Sequence, residues 1–191
     1  MSELSPYAHH EFQADGRNDS WSNLAGFVAT GSRVLDIGCS TGNFGEALER
    51  AHGCTVVGID IAREDIEVAR GKISRAEVRD VTVPGVLDDL GNFDVIIFAD
   101  VLEHLADPRA ALMASVRALR PDGAILYSIP NMAHLSVRLD LLAGRFGYTE
   151  TGILDKTYLD FYDKVTADDL FASSGLDITT ERSVTFPYPP R

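Results

Sequence analysis

Short apolar runs alternate with amphipathic stretches over most of this chain. The apolar runs are rich in branched side chains and cover residues 34–37, 55–59, 76–79, 93–98 and 124–129. Such runs are typical of strands that are buried on both faces. Helical periodicity follows three of them, at residues 43–50, 63–72 and 109–119. The alternation predicts an α/β fold with a doubly wound, mostly parallel sheet and right-handed crossovers.

The pattern changes after residue 131. An apolar helical stretch at residues 135–142 leads into a long aromatic segment at residues 144–164. A helix at residues 166–174, with Thr166 as its cap, and a sixth strand at residues 176–185 then follow. Long connections without regular structure are usually lids or binding loops. We therefore expect residues 131–165 to form a lid and acceptor-binding segment between strands five and six.

The length of 191 residues suits one domain with its own core. We expect an N-terminal segment and first helix over residues 1–30, and the main domain over residues 31–185. Residues 186–191 form a short tail, and two alternatives stay open there: either the chain was cut from a longer protein at this point, or the edge of the sheet differs.

The stretch from residue 34 to 45 reads VLDIGCSTGNFG and joins a strand, a glycine turn and a helix. This geometry points backbone N–H groups and a helix N-terminus at a ligand. The dinucleotide fingerprint GxGxxG is broken by Ser40 and Asn43, which argues against a nicotinamide oxidoreductase. The carboxylate of Asp36 just before the turn suits a ligand with a cationic end, such as the amino group of S-adenosylmethionine (SAM).

These residues resemble motif I of the class I SAM-dependent methyltransferases. The resemblance implies a Rossmann-like sheet of six to seven strands, SAM as cofactor and S-adenosylhomocysteine (SAH) as product. Composition favours a loose N-terminal segment over residues 1–20, whereas the resemblance offers the alternative that an aromatic residue in or just after it, Tyr7, Phe12 or Trp21, covers the cofactor. The predicted cofactor-binding residues follow the first four strands: Asp36, Gly38, Cys39, Ser40, Gly42 and Asn43, then Asp60 and Ile61 at the ribose, Asp80 and Val81 at the adenine, and Ala99 and Asp100.

Three later stretches, DVLEHLADP, SIPNMAHLSVRLDLLAGRFGY and GILDKTYLDFYD, narrow the resemblance. They are similar to ubiquinone-type O-methyltransferases and to methyltransferases associated with sugar and polysaccharide biosynthesis. The implied reaction is methyl transfer to an oxygen of a small molecule or glycan precursor. The resemblance also allows for further domains in a longer chain. The subgroup usually carries His where this chain has Tyr158.

Methyl transfer from a sulfonium is an in-line displacement, and an oxygen nucleophile must also lose its proton. His104, with Glu103 beside it, is the predicted catalytic group because His titrates near neutral pH. An alternative for the sequence D-x-x-E-H is a divalent metal site formed by Asp100, Glu103 and His104, with His134 as a fourth ligand. Our main prediction contains no metal.

The acceptor is expected to contact His134, Tyr148 and Tyr158, whereas Phe146 and Phe161 are expected to pack in the core. A different class of function remains open for the same residues, namely a SAM-binding or regulatory module without catalysis. An acceptor pocket closed by residues 144–164 would distinguish the enzyme from this module.

The composition of the chain limits the kinds of partner that we expect it to bind. The net charge is −12, and no local cluster of Lys or Arg offsets it, so a nucleic-acid partner is not expected. No apolar run approaches the ~20 residues that span a bilayer, and the N-terminus lacks a signal pattern. The two cysteines have no metal or disulfide spacing. These features predict a cytoplasmic protein without a membrane partner.

Overall fold

The computed structural model describes residues 18–184. Strands and α-helices alternate over the first two thirds of this range, and a 3₁₀ turn, Leu102–His104, follows the fourth strand. The elements in chain order are α1 (Ser20–Ala25), β1 (Arg33–Ile37), α2 (Asn43–His52), β2 (Thr55–Asp60), α3 (Arg63–Ala69), β3 (Arg75–Val78), β4 (Phe93–Ala99), α4 (Pro108–Ala118), β5 (Leu119–Ser128), α5 (Leu135–Leu142) and α6 (Lys164–Ser173).

The five strands form one parallel sheet in the order β3-β2-β1-β4-β5. Strand β1 lies at the centre, where Asp36 is opposite Gly58 of β2 and Ile97 of β4. The order reverses direction beside β1, and such a switch point is where open α/β sheets form a ligand crevice. The predicted parallel, doubly wound sheet is confirmed.

The predicted sixth strand is wrong for the part of the chain that the structure describes. Residues 176–184 follow α6 without regular secondary structure and do not pair with β5. Side chains hold this segment instead: the Arg182 guanidinium lies 4.5 Å from the centre of the Phe27 ring, and Lys164 pairs with Glu181 at 2.6 Å. The sheet within residues 18–184 therefore has five strands rather than six or seven.

Strand β5 begins earlier than its pattern suggests. Residues 121–123, which read as a turn, lie inside β5, and the pairing with β4 shifts register between Phe93 and Val95. Local turn chemistry was overridden by pairing with the neighbouring strand. Helix α4, predicted at residues 109–119, begins at Pro108 with Asp107 as its cap, whereas α6 is capped by Asp163 rather than by Thr166, which lies at its third position.

Each face of the sheet carries its own hydrophobic cluster. Successive residues alternate between them, so Val34 and Ile97 pack beneath α1, α2 and α3, while Leu35 and Ile96 pack beneath α4 and α6. All four side chains are fully buried. This two-sided burial explains why the strands read as continuous apolar runs rather than as alternating patterns.

Within residues 18–184, no helix is both long enough and apolar enough to cross a bilayer.

Glu49 of α2 supplies a hydrogen-bond acceptor that the sheet lacks. Its Oε1 atom accepts from the backbone N–H of Val56 and from that of Ser74, both at 2.9 Å. Strand β3 begins beside Val57, so the ladder gives the preceding N–H of Val56 no acceptor from that strand. Glu49 therefore ties α2 to β2 and to the start of β3.

We predict that Glu49→Met lowers the free energy of unfolding by about 1–3 kcal/mol, because it leaves the buried N–H of Val56 without an acceptor. Glu49→Gln should cost less, since its amide oxygen can still accept. The matched control is Glu46→Met on the same helix, which removes only an exposed pair with Arg50 and should cost under about 1 kcal/mol. Urea unfolding measures all three, and equal losses at positions 46 and 49 would contradict the assignment.

Candidate functional site

The turn after β1 requires glycine. Gly38 and Gly42 have φ values of 74° and 76°, and Ser40 between them is also left-handed at 45°. A Cβ atom on Gly38 would lie 2.5 Å from the Cγ2 atom of Val101. The N–H groups of Gly38 and Cys39 both donate to the Ile59 carbonyl oxygen, at 2.8 and 3.1 Å. The turn is thus fixed against β2, and it keeps its backbone close to the end of β4.

Asp36 is a buried carboxylic acid at the carboxyl end of β1. Its side chain is 2% exposed, and its Oδ2 atom has no hydrogen-bond partner among the described residues. Burial, and then the nearby charge of Asp60, raise the pKa of Asp36 to about 7. The fold therefore holds a carboxylate where it is poorly solvated, which a cationic ligand would stabilise.

Asp60 ends β2 and organises the loop opposite it. Its two oxygens accept from the backbone N–H groups of Ser40 and Ala62, at 2.9 and 2.8 Å. The Ser40 hydroxyl donates to Asp65 of α3 at 2.7 Å. Because each carboxylate oxygen can accept more than one hydrogen bond, Asp60 keeps acceptor capacity for a ligand.

Strands β3 and β4 end in two further acids. Asp80 accepts from the N–H and the hydroxyl of Thr82, and these bonds lower the pKa of Asp80. Asp100 has an uncommon left-handed φ of 54°, and its Oδ1 atom accepts from the Ser128 hydroxyl at 2.8 Å. Four acids from four strand ends thus meet at one edge of the sheet.

A cleft of about 1960 Å³ opens at this edge and continues into the groove between β5 and residues 176–184. Most residues predicted to bind the cofactor line it: Asp36, Gly38, Cys39, Ser40, Asn43, Asp60, Ile61, Asp80, Val81, Ala99 and Asp100. His104, His134 and Tyr158 line it as well. The cleft, together with this groove, is larger than the ~300–1,000 Å³ typical of a site for one small ligand.

Three predicted site residues lie outside the cleft lining. Gly42 is buried behind the turn, where a Cβ atom would meet Ala69 at 3.1 Å. Glu103 is fully buried, and Tyr148 is 58% exposed on the outer surface. Gly42 and Glu103 are both buried away from the cleft lining, which their local spacing did not indicate.

The predicted division among the aromatic residues of the 144–164 segment is wrong in part. Phe146 and Phe161 are 53% and 37% exposed, so neither belongs to the core. Both contact Tyr148, with ring centres 5.4 and 6.4 Å from it, and together they form an exposed aromatic group. Only Tyr158 takes the predicted position beside the cleft.

The N-terminal side of the cleft carries one of the three aromatic residues considered for covering the cofactor. Trp21 lines the cleft and stacks on Phe44 of α2, with ring centres 5.1 Å apart. Tyr7 and Phe12 lie outside the described residues.

His104 sits in the 3₁₀ turn after β4, where its ring contacts that of Tyr158. The two ring centres are 5.0 Å apart and nearly perpendicular. The His104 Nδ1 atom is 3.1 Å from the hydroxyl oxygen of Thr157, which donates to Asp155 at 2.6 Å. Sequence reasoning missed Thr157 and Asp155. The available signal was an Asp two residues before a Thr, a spacing typical of an Asx turn.

Glu103 is a buried acid that the protein keeps protonated. Both of its carboxyl oxygens lack hydrogen-bond partners among residues 18–184. Burial, followed by the charges of Asp100 and Asp155, raises the pKa of Glu103 to about 9. The side chain is therefore neutral at pH 7 and is not positioned to take a proton from a molecule in the cleft.

The alternative metal site also depends on Glu103. Across the described range, no three His, Cys, Asp or Glu side chains converge in an arrangement that could hold a metal ion. Asp100 and His104 line the cleft while Glu103 lies behind it, so these three side chains do not meet.

Comparison with known proteins identifies the class. The fold and the acidic crevice at its switch point define a class I SAM-dependent methyltransferase domain. The sequence profile of a methyltransferase domain family matches residues 7–181. This chain therefore belongs to the methyltransferase domain family.

Two similar curated proteins have the same named function. The ubiquinone biosynthesis O-methyltransferase of Neisseria meningitidis serogroup A is 34% identical over 107 residues, which cover 53% of this chain and 45% of that protein. The mitochondrial ubiquinone biosynthesis O-methyltransferase of Bos taurus is 28% identical over 162 residues, covering 79% of this chain and 43% of that protein. The chain spans about half the length of these relatives.

Solved structures support the fold. The magnesium protoporphyrin IX methyltransferase of Synechocystis, solved with bound SAH, superposes with a TM-score of 0.66 at 16% identity. That match covers 88% of this chain and 77% of the other. A possible histamine N-methyltransferase from Thermotoga maritima gives 0.62 at 18% identity, covering 83% and 70%.

We predict that the stability of wild type relative to Glu103→Gln falls as pH rises. Unfolded Glu103 loses its proton above about 4.5, whereas the folded protein keeps it up to about 9. Stability from the proton is thus fully present below 4.5 and is lost toward 9, at no more than about 1.4 kcal/mol per pH unit. Urea unfolding at pH 5, 7 and 9 measures the difference.

The exposed substitution Glu67→Gln on α3 is the control and should show no such trend. If the gap between wild type and Glu103→Gln is constant from pH 5 to 9, Glu103 is not a protonated buried acid.

Proposed function

We propose that this chain binds SAM in the cleft and transfers its methyl group to an oxygen atom of a small molecule or glycan precursor. The observation that carries the proposal is the convergence of a left-handed glycine turn and the buried, unpartnered Oδ2 atom of Asp36 at the switch point of the sheet. A buried carboxylate beside a narrow backbone cradle favours a ligand that is cationic and lies close to the main chain.

The residues present fit this cofactor. A Cβ atom at Gly38 would overlap the Val101 side chain, so glycine is required for the turn to lie this close to the end of β4 and to border the cleft with its main chain. Asp36 suits the amino group of the methionine portion. Asp60, at the end of the second strand of a βαβ unit, suits the two ribose hydroxyls. Asp80 and Val81 line the part of the cleft beyond β2 and suit the adenine.

When bound, SAM supplies an electrophilic methyl group on a cationic sulfur, so the protein mainly has to align the reactants. The new bond joins the acceptor oxygen to the methyl carbon, and the carbon–sulfur bond breaks with its electrons remaining on sulfur. The acceptor hydroxyl also loses a proton, and His104 is the group in this cleft that would take it.

The acceptor side of the cleft comes from the 131–165 segment. His134, Tyr158 and residues 150–157 line the cleft there, which supports the role of this segment as an acceptor-binding lid. A SAM-binding module without catalysis would not need an acceptor side in this cleft. Oxygen as the methylated atom is favoured by the O-methyltransferase names of the curated relatives. Because the chain spans about half of those relatives, the acceptor belongs to this proposal rather than to the comparison.

We predict that SAM and SAH bind the purified chain and that Asp60→Asn weakens both by about 10- to 100-fold. This range corresponds to loss of charge-assisted hydrogen bonds worth about 1.5–3 kcal/mol. Isothermal titration measures the affinities, with NAD as a ligand expected not to bind. Glu67→Gln is the charge-matched control, because Glu67 is exposed on α3 and does not line the cleft.

A methyl-transfer assay then distinguishes an enzyme from a SAM-binding module without catalysis. Incubation with methyl-labelled SAM and a panel of catechols, phenols and sugars should release SAH and label an acceptor oxygen. Binding of SAM that is indifferent to Asp60, or no binding at all, would falsify the proposed site. Tight binding without turnover on any hydroxylated acceptor would favour the non-catalytic module.

We also predict that the affinity for SAM rises with pH between 6 and 7.5. A cationic amino group favours the ionised form of Asp36, whose pKa is about 7 in the folded protein. Protonation at pH 6 therefore competes with binding and should weaken it roughly eightfold relative to pH 7.5. Asp36→Asn should bind weakly with a flat profile, and a steep profile in that variant would assign the titration to another group.

A further inference from the structure

His104 is linked through Thr157 to Asp155, and this pair of residues has no role in the function proposed above. The imidazole lines the cleft, and its Nδ1 atom lies 3.1 Å from the Thr157 Oγ1 atom. Thr157 lies 53 residues further along the chain, in the acceptor-binding segment. The segment that lines the acceptor side thus reaches the same imidazole that faces the acceptor.

The direction of the hydrogen bond follows from the partners of Thr157. Its hydroxyl donates to Asp155 Oδ1 at 2.6 Å, and the same oxygen accepts from the Thr157 backbone N–H at 2.8 Å. A hydroxyl has only one proton to donate. Because that proton is directed to Asp155, the Thr157 oxygen must accept from His104, and the imidazole proton lies on Nδ1. The lone pair is then on Nε2.

The loop that carries Asp155 is held in place on both sides. Asp155 is 1% exposed, and its backbone N–H donates to the Gly152 carbonyl at 3.2 Å. Backbone bonds from Thr149 to Leu154 and from Lys156 to Thr149 close the loop, at 2.8 and 3.0 Å. The 3₁₀ turn that carries His104 is joined to the same segment, since the Leu159 N–H donates to the Glu103 carbonyl at 2.8 Å. The His104 backbone and its side-chain partner are therefore placed by one docked segment.

We propose that Asp155 and Thr157 are positioning residues that hold His104 in its Nδ1–H tautomer and so leave Nε2 as the proton acceptor in the cleft. The inference rests on the proposed function of His104 as the base. The tautomer of a histidine is set by the partner of its other nitrogen, and here that partner belongs to the acceptor-binding segment. Docking of this segment therefore prepares the base at the same time as it shapes the acceptor side.

The test reads the tautomer directly. The full chain is labelled with ¹⁵N-histidine, and long-range ¹H–¹⁵N correlation spectra are recorded at pH 8, with His104→Gln assigning the resonances. Wild type should show an excess of about tenfold of the Nδ1–H form, the ratio that a hydrogen bond worth about 1.4 kcal/mol gives. Thr157→Val removes the acceptor oxygen at nearly constant shape and should abolish the excess, while Thr157→Ser should keep it.

Thr149→Val is the matched control, because the Thr149 hydroxyl donates to the Thr151 carbonyl at 2.9 Å and belongs to the same loop. It should leave the His104 spectrum unchanged. A wild-type spectrum dominated by the Nε2–H form overturns the inference even if Thr157→Val fails to fold. A His104 spectrum unchanged by a folded Thr157→Val variant overturns it as well.

An activity readout separates this inference from the proposed function. With an acceptor found in the turnover panel, Thr157→Val should lower kcat at least tenfold with the SAM affinity unchanged, and Thr157→Ser should restore kcat. An unchanged kcat in Thr157→Val contradicts the positioning role. Failure of the whole chain to bind SAM defeats the proposed function, whereas the tautomer spectra are read without any methyl transfer.

Discussion

The parallel register of the central strands is the constraint on which the rest of this structure depends. Strand β1 pairs with β2 and β4 so that Asp36, Asp60 and Asp100, far apart in sequence, end at one edge of the sheet. The turn after β1 must then reverse sharply without a side chain, because a Cβ at Gly38 would overlap Val101 at the end of β4. The same register that buries the apolar runs therefore leaves a narrow, acidic crevice at the switch point.

This arrangement is electrostatically unfavourable because it buries acidic side chains. Burying Asp36 beside Asp60 disfavours its ionised form, and the raised pKa expresses that cost. Glu103 is buried to the same extent, but its pKa is raised further, to about 9, so the two acids behave differently although both are enclosed. Asp36 lines the cleft, where a cationic ligand can recover its charge, whereas Glu103 lies behind the cleft with no such access. The two acids therefore differ in their access to a ligand because of where they lie relative to the cleft, and not because one is Asp and the other Glu.

The periodicity of the chain was sufficient to predict the parallel sheet, its first five strands and the acids at their ends. Those features depend on short-range patterns and on general rules of α/β topology. What failed depends on long-range partners. Residues 176–184 have a strand-like composition, but instead of pairing with the sheet they are held by the contacts of Arg182 with Phe27 and of Lys164 with Glu181. The same holds for two features of the site. Thr157 and His104 are 53 residues apart in the sequence, and Glu103 is buried; local spacing encodes neither the contact nor the burial.

The central claim is that the crevice between β1, β2 and β4 is a SAM site, and a crystal structure of the chain grown with SAH tests it most directly. The account predicts density along the Gly38–Ser40 turn, with the ribose hydroxyls on the Asp60 carboxylate and the amino group on the side of Asp36. Density that avoids both acids, or that lies only in the groove between β5 and residues 176–184, would contradict it.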